Sequence, residues 1–235
     1  MKTSTQTDVE RWWRDVFDVG DELWSSLTVL HPHGQLGDYE GWYVAWRDAG
    51  VHVSAPSTAE ADEVASLTNE SVVSLQEVEF WHAFAHQRGL EVVGPGVHRY
   101  VDTDPGFADD VHRVEPSTLR TLRDRVSEED WWESSFDDTL SEPGVVAFAV
   151  DGGGVVLSEL DGAPRNVGLL VASDARGRGL GTQLGSAAAS YAVTNHGYAR
   201  WRCRDTNVPS VRIAERLGFE PYATQLAVRR GSSAA

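Results

Sequence analysis

The chain has 235 residues, room for one large domain or two of ordinary size, and 41% of them are hydrophobic. A formal net charge of -16 repels nucleic acid over most of the surface and favours cationic small molecules, and no apolar run reaches the length of a membrane span. The opening MKTSTQTDVE lacks the apolar core of a secretory signal, and the single cysteine, Cys203, excludes an internal disulfide and a multi-cysteine zinc site. A cytoplasmic protein with no nucleic-acid or membrane partner is expected.

From the N-terminus, residues 9–19 place Trp12, Trp13, Val16 and Phe17 on one face of a helix. His31-Pro32-His33 reads as loop. GWYVAW and VHVSAP flank RDAG and predict a hairpin over 41–54. Residues 58–69 and 74–88 read as helices, the second stopped by Gly89. His82 and His86 lie four apart on that second helix, as metal ligands can, but Ala83 stands where a zinc protease pattern needs glutamate, so no metal is expected. LEVVGPGVHRYVD reads as extended chain interrupted by Gly94-Pro95-Gly96. Residues 1–96 are thus a smaller α/β region of unassigned role, 97–230 a second domain, and 231–235 a disordered tail.

In the second domain, Glu115-Pro116 opens a helix with Leu119, Leu122 and Val126 facing inward. Ser127 and Asp130 have capping-box spacing, and the helix they start carries Trp132, Phe136 and Leu140 at intervals of four, which puts Trp132 in the core. VVAFAV and VVLSEL enclose Asp151-Gly152-Gly153-Gly154 as a hairpin, and the turn 161–164 leads to a strand through NVGLLVA. Next comes DARGRGLGT, residues 174–182, followed by the helical LGSAAASYAV. RWRCRD sets Trp201 and Cys203 against Arg200, Arg202 and Arg204, as a half-buried strand does. NVPSVRIAERLGF is a helix with Ser210, Ile213, Ala214 and Leu217 on one stripe and Gly218 as its stop, and YATQLAVRR is the last strand. The order predicts a mixed α/β sheet flanked by helices.

The turn 174–182 holds the chemistry. Gly177, Gly179 and Gly181 remove the side chains that would keep a ligand off the backbone, and the following helix aims free N–H groups and its positive dipole end at the same place. Arg176 and Arg178 add charge that can fork onto phosphate oxygens, so a diphosphate is the expected occupant. The stretch has neither the Gly-Lys-Ser/Thr of a P-loop nor GxGxxG spacing.

Arg176-Gly177-Arg178-Gly179-Leu180-Gly181 resembles the R/Q-x-x-G-x-G/A signature of the GNAT acyltransferases, and WRCRDTNVPSVRIAERLGF is similar to the segment that follows it in that family. The Trp-x-Cys, Asn-x-x-Ser and Ala-Glu-Arg-Leu-Gly-Phe pattern is most similar to bacterial members with an N-terminal extension, such as the zwittermicin-resistance type. The resemblance implies a GNAT-like mixed central sheet, acetyl-CoA as cosubstrate, no metal, and transfer of an acetyl group to the amine of a small molecule or peptide. It implies that Leu170, Val171 and Ala172 hydrogen-bond the pantetheine arm. The backbone of Arg176, Gly177, Arg178, Gly179, Leu180, Gly181 and Thr182 would hold the diphosphate, with Asn207 and Ser210 near the sulfur. The family's usual tyrosine acid falls at Ala214, and its usual glutamate base at Asn166 or Gly168. Candidate substitutes are Glu159 as base, and Tyr222, Ser210 or Cys203 as acid. The departures also admit a catalytically silent acyl-CoA-binding or regulatory module. Oligomeric state is open.

Overall fold

Apolar residues every second position make the strands, and small or apolar residues at helical spacing make the layers that cover them. The computed structural model describes residues 1–25, 28–34, 36–37, 39–67 and 75–231. In chain order the elements begin with α1 (Thr3–Phe17), β1 (Thr28–Pro32), β2 (Gly41–Arg47), β3 (Gly50–Ala55), α2 (Thr58–Leu67), α3 (Val78–His86) and β4 (Glu91–Val101). Then follow β5 (His112–Val114), a 3₁₀ stretch (Pro116–Arg125), α4 (Glu128–Ser134), α5 (Phe136–Thr139), β6 (Val146–Val150), β7 (Gly153–Leu160) and β8 (Ala163–Val171). The last are α6 (Leu180–His196), β9 (Ala199–Arg204), α7 (Val208–Arg216) and β10 (Glu220–Arg229). The expected disordered tail, past Gly231, and the expected helix residues 68–69 and 74 lie outside the described residues.

The chain forms two compact units. One comprises Gln6–His98 and the chain from Tyr222 on; the other comprises Met1–Thr5 and Arg99–Pro221 and carries the glycine turn. In the N-terminal unit β2 and β3 form the expected hairpin, with Val44 opposite Val53, and β1 runs parallel beside β3. On the other side of β2 lies β10, antiparallel, with Leu226 opposite Val44 and Val228 opposite Trp42. Leu226, Val228, Trp42, Val44, Val51 and Val53 close over Trp81, Phe84 and Leu75 as one core. The last strand, expected within 97–230, therefore spends most of its length in the N-terminal unit's sheet. β1 ends at the His31-Pro32 stretch expected as loop, and β4 runs unbroken through Gly94-Pro95-Gly96.

The loop-bearing unit has strand order β9-β8-β7-β6-β5, antiparallel throughout except for the parallel step from β8 to β9. Alternation along β7 sends Val155 and Leu157 to one face and Val156 to the other. On the first face lies α6, whose Ala187, Ala188, Ala189 and Ala192 are fully buried; methyl side chains let its backbone lie close to the sheet. Leu119, Leu122, Trp131 and Phe136 cover the second face. Leu119 and Leu122 sit three apart on a 3₁₀ turn, where i and i+3 eclipse, rather than on the expected α-helix.

Trp132, expected in the core, is 52% exposed, and its neighbour Trp131 is 3% exposed in its stead. The cause is Ser135, whose φ of 58° ends α4 in the left-handed region and restarts the chain as α5. That break moves Phe136 and Leu140 off Trp132's stripe and onto Trp131's side. Arg200, expected on an open face, is buried and donates through Nε to Asn166 Oδ1 at 3.0 Å. Among the described residues no helix is long and apolar enough to cross a membrane, and no group of three or more His, Cys, Asp or Glu could hold a metal.

Candidate functional site

The parallel step is where the sheet opens. β8 and β9 pair at Asn166↔Arg200 and Val167↔Trp201, while β8 continues to Val171 and β9 to Arg204. The amide of Ala172 donates to Gly152 O at 2.8 Å, towards the β6–β7 turn. Because backbone groups alternate sides along a strand, Leu170 shares that direction and the polar groups of Leu169 and Val171 face the opening. Of the three strand-end residues expected to meet a pantetheine arm, only Val171 therefore offers its backbone. Leu169, missed by the sequence reading, joins it; the parity of β8 against β9 is the signal that names it.

The turn after β8 descends through Ser173–Ala175 to Arg176 and enters α6 at Leu180. Gly177 and Gly179 carry φ of +77° and +82°, and a Cβ on either would meet nothing within 4 Å. These two glycines permit left-handed backbone in the open. Gly181 differs: a Cβ there would come within 2.6 Å of Ile213 Cδ1, so its bare backbone seats α6 against α7. The amides of Thr182 and Gln183 both donate to Gly179 O, at 3.0 and 3.2 Å. Thr182 is thus committed within the helix, while among the described residues the amides of Leu180 and Gly181 find no backbone carbonyl, as at any helix start.

The arginines of the turn already have partners. Arg176 Nη2 lies 2.8 Å from Asp130 Oδ2, and its Nε donates to Val171 O at 3.3 Å. Arg178 Nη2 donates to Asp174 O at 3.1 Å, and Arg125 Nη2 reaches both oxygens of Asp174 at 3.0 Å. Asp130 sits in the capping box at the start of α4. Burial works to raise its pKa, but hydrogen bonds from Ser127 and Arg176 and the Arg176 charge outweigh it and hold the carboxyl below the usual range.

Asn207 caps α7, its Oδ1 accepting from the Ser210 amide at 3.2 Å, and its Nδ2 donates to Glu133 Oε2 at 3.1 Å. Ser210 Oγ accepts from Trp201 Nε1 at 2.9 Å. Glu133 also pairs with Arg204, which reaches Glu129 at 3.7 Å. The end of α4 rests directly on β8, since a Cβ on Gly168 would meet Ser134 O at 3.1 Å. Glu133 is therefore the carboxylate bound to the end of β9 and the cap of α7, beside the opening. Sequence reasoning passed over it because it sits among the acids of EEDWWES with no spacing to mark it.

Other candidates lie elsewhere. Glu159 is exposed, pairs in register with Pro164 and accepts from the Gly162 amide at 3.3 Å. Pro164 precedes Val171 by seven residues, about 23 Å of strand, so Glu159 stands at the far end of β8 from the turn. Tyr222 belongs to the N-terminal unit, where its hydroxyl accepts from Trp24 Nε1 at 3.1 Å and Arg47 stacks 4.2 Å over its ring. Burial pushes its pKa up. Those contacts seat it in the N-terminal unit's core. Cys203 lies 3.6 Å from Arg99 Nη1; burial raises its pKa, opposed by Ser210 and Arg99, which suits a resting thiol.

A mixed sheet with one parallel step, opened there by an outward-facing turn at a helix N-terminus, is an α/β architecture flanked by helices. A family model described as an acetyltransferase (GNAT) domain matches residues 96–220, and the chain belongs to the GNAT acetyltransferase family. Among solved structures it is similar to a GCN5-related N-acetyltransferase from Kribbella flavida, at 17% identity and a TM-score of 0.43, over 65% of this chain and 64% of that one. A GNAT-family acetyltransferase from Colwellia psychrerythraea is similar at 13% identity and a TM-score of 0.46, over 82% of this chain and 66% of that one. A tandem GNAT protein from the clavulanic acid biosynthesis pathway is similar at 19% identity and a TM-score of 0.42, over 66% and 59% of the two chains. This chain thus spans less than two thirds of the length of the Kribbella chain. No curated protein matches it.

Proposed function

We infer that the protein is an acyl-CoA-dependent N-acetyltransferase that moves an acetyl group from acetyl-CoA to the amine of a small molecule or peptide. Its sequence pattern sets it beside the extended members such as the zwittermicin-resistance type. One observation carries the reading: the open edge of β8 at Leu169 and Val171 leads straight into a turn where Gly177 and Gly179 are left-handed and uncovered. The residues fit the group. Leu169 and Val171 offer strand-like hydrogen bonds to the pantetheine amides, and the amides of residues 177–181 with Arg176 and Arg178 suit the diphosphate. Acetyl-CoA, when bound, supplies an acetyl group activated as a thioester.

The chain's own task is set by protonation. An alkylammonium of pKa about 10.4 is neutral in roughly one part in 2,500 at pH 7, a handicap of about 4.6 kcal/mol, whereas a thiol near pKa 8.5 leaves as thiolate for only about 2 kcal/mol. Drawing in the amine and removing its proton outweigh any acid. Asn166 cannot be the base, since it bridges Ser158 and Arg200. Ala214, at the family's tyrosine position, is a fully buried methyl. Glu133 is placed to attract an ammonium; with Asn207 and Arg204 on it, it suits orienting the acceptor more than taking its proton, which leaves through solvent at the open mouth.

The test is thiol release from acetyl-CoA across a panel of polyamines, aminoglycosides and N-terminal peptides. Turnover with any amine supports the reading. Binding without release by any of them favours the second reading, a silent acyl-CoA-binding module, for which Asn166 and Ala214 speak. Absence of binding overturns both.

A further inference from the structure

We propose that Asp130 sets the affinity of the turn for the coenzyme diphosphate by holding Arg176 in the diphosphate's stead; this rests on the acyl-CoA reading above. The carboxylate is fixed from its own side. Its amide donates to Ser127 Oγ at 3.1 Å, Ser127 Oγ donates back to Oδ2 at 2.5 Å, and the same Oδ2 accepts from Arg176 Nη2. The guanidinium is stretched between that cap and the edge of β8, where Nε holds Val171 O. It stands one residue before the left-handed Gly177.

Charge makes the pairing consequential. The turn itself supplies two cations, Arg176 and Arg178, and one carboxylate, Asp174. Asp174 is answered from outside by Arg125, so it does not draw on the turn's own cations. Asp130 does draw on them, and it adds a negative charge beside the place an anion must enter. A guanidinium's donors match either a carboxylate or a phosphate, and Arg176 already commits Nη2 to Asp130 and Nε to Val171 O. An arriving diphosphate therefore competes with Asp130 for Arg176. The pair is half-exposed, and such pairs are weak enough to exchange.

The exchange reaches further, because α4 is tied on both sides of the opening. Asp130 ties it to the turn, while Glu129 and Glu133 tie it to Arg204 and Asn207 at the end of β9 and the start of α7. Releasing Arg176 undoes the first tie and leaves the second, so occupancy of the turn is felt by the helix that carries Glu133 and the exposed Trp132.

Calorimetric titration of coenzyme A into the full chain tests this. Asp130→Asn is expected to tighten the dissociation constant about two- to fivefold at low salt, with the gap closing as salt rises. Asp130→Glu, which keeps the charge, should bind as the wild type does. Arg176→Gln should weaken binding, and adding Asp130→Asn to it should restore less than Asp130→Asn gains alone, a coupling that a purely structural role for Asp130 does not produce. If Asp130→Asn binds equally or more weakly, or if its gain persists undiminished in the Arg176→Gln background, the proposal is wrong while the acyl-CoA reading stands. If the wild type and every variant give no heat with coenzyme A, that reading falls and this one with it.

Discussion

Gly179 sits at φ +82° with open space where a side chain would go, so substituting it costs backbone strain and blocks approach without touching the core. Gly179→Ala is expected to cost about 1–2 kcal/mol of stability and about tenfold in coenzyme A affinity. Gly181→Ala should behave differently, since its methyl would press on Ile213 Cδ1 at 2.6 Å. That atom ends a flexible side chain, so the cost is about 1 kcal/mol; a bulkier residue at 181 would displace α7 and would not isolate the binding role. Titration and thermal melts of the pair separate the two glycines, and wild-type affinity in Gly179→Ala would remove the turn as an anion cradle. In the N-terminal unit, burial and the charge of His31 hold the His52 pKa down to about 4, against Glu22, and Nε2 accepts the Trp24 amide at 3.0 Å, which only an unprotonated nitrogen can do. Above pH 6.5 His52 is neutral whether folded or not and adds no pH dependence. Between pH 6.5 and 4 the unfolded chain takes up a proton that the folded chain refuses, so stability falls by up to about 3 kcal/mol and then levels. Tryptophan-fluorescence melts at pH 7 and 4.5 should show that loss, and His52→Gln should flatten it; an unchanged slope in the variant assigns the effect to other groups.

At the scale of elements, α4 and α5 show how a single backbone angle overrides a pattern. Trp132, Phe136 and Leu140 repeat every four residues and read as one helical stripe, yet Ser135 at φ 58° divides the stripe and hands the core position to Trp131. Trp131→Ala is accordingly expected to cost about 3–5 kcal/mol and Trp132→Ala no more than about 0.5 kcal/mol, measured by chemical denaturation; the opposite order would mean that α4 runs on through Ser135. Elements with strong local signals were legible: the hairpin around Asp151-Gly152, the alanine-rich α6 and the α7 stripe ending at Gly218 all stand where periodicity and glycine put them. So was the glycine turn, because positive φ and missing side chains are written in the residue types themselves. The short β1 and β5 were not, since three to five residues without alternation carry no period to read. Glu133 escaped for a related reason: its importance comes from Asn207 and Arg204, some seventy residues on, and only the packing of α4 on Gly168 brings them together.

For the whole molecule, the least legible feature is where the chain's end goes. YATQLAVRR announces a strand, but nothing in its alternation says which sheet it joins, because register partners are a property of the fold and not of the segment. In the structure it lies between β2 and β4 in the sheet, with Leu226 and Val228 fully buried against Trp42, Val44 and Val53. The family match ends at residue 220, one residue before the loop-bearing unit ends at Pro221. A consequence follows for stability across a sequence separation of more than a hundred residues. Leu226→Ala removes a fully buried side chain from the core that Val44 shares and should cost about 2–5 kcal/mol. The loss should appear as faster protease cleavage within residues 6–98, far from the substitution in sequence, because those residues open together with β10. Cleavage mapping by mass spectrometry decides it: new cuts confined to the last fifteen residues, with 6–98 as resistant as in the wild type, would show that β10 is an appended edge and not the strand that completes this sheet.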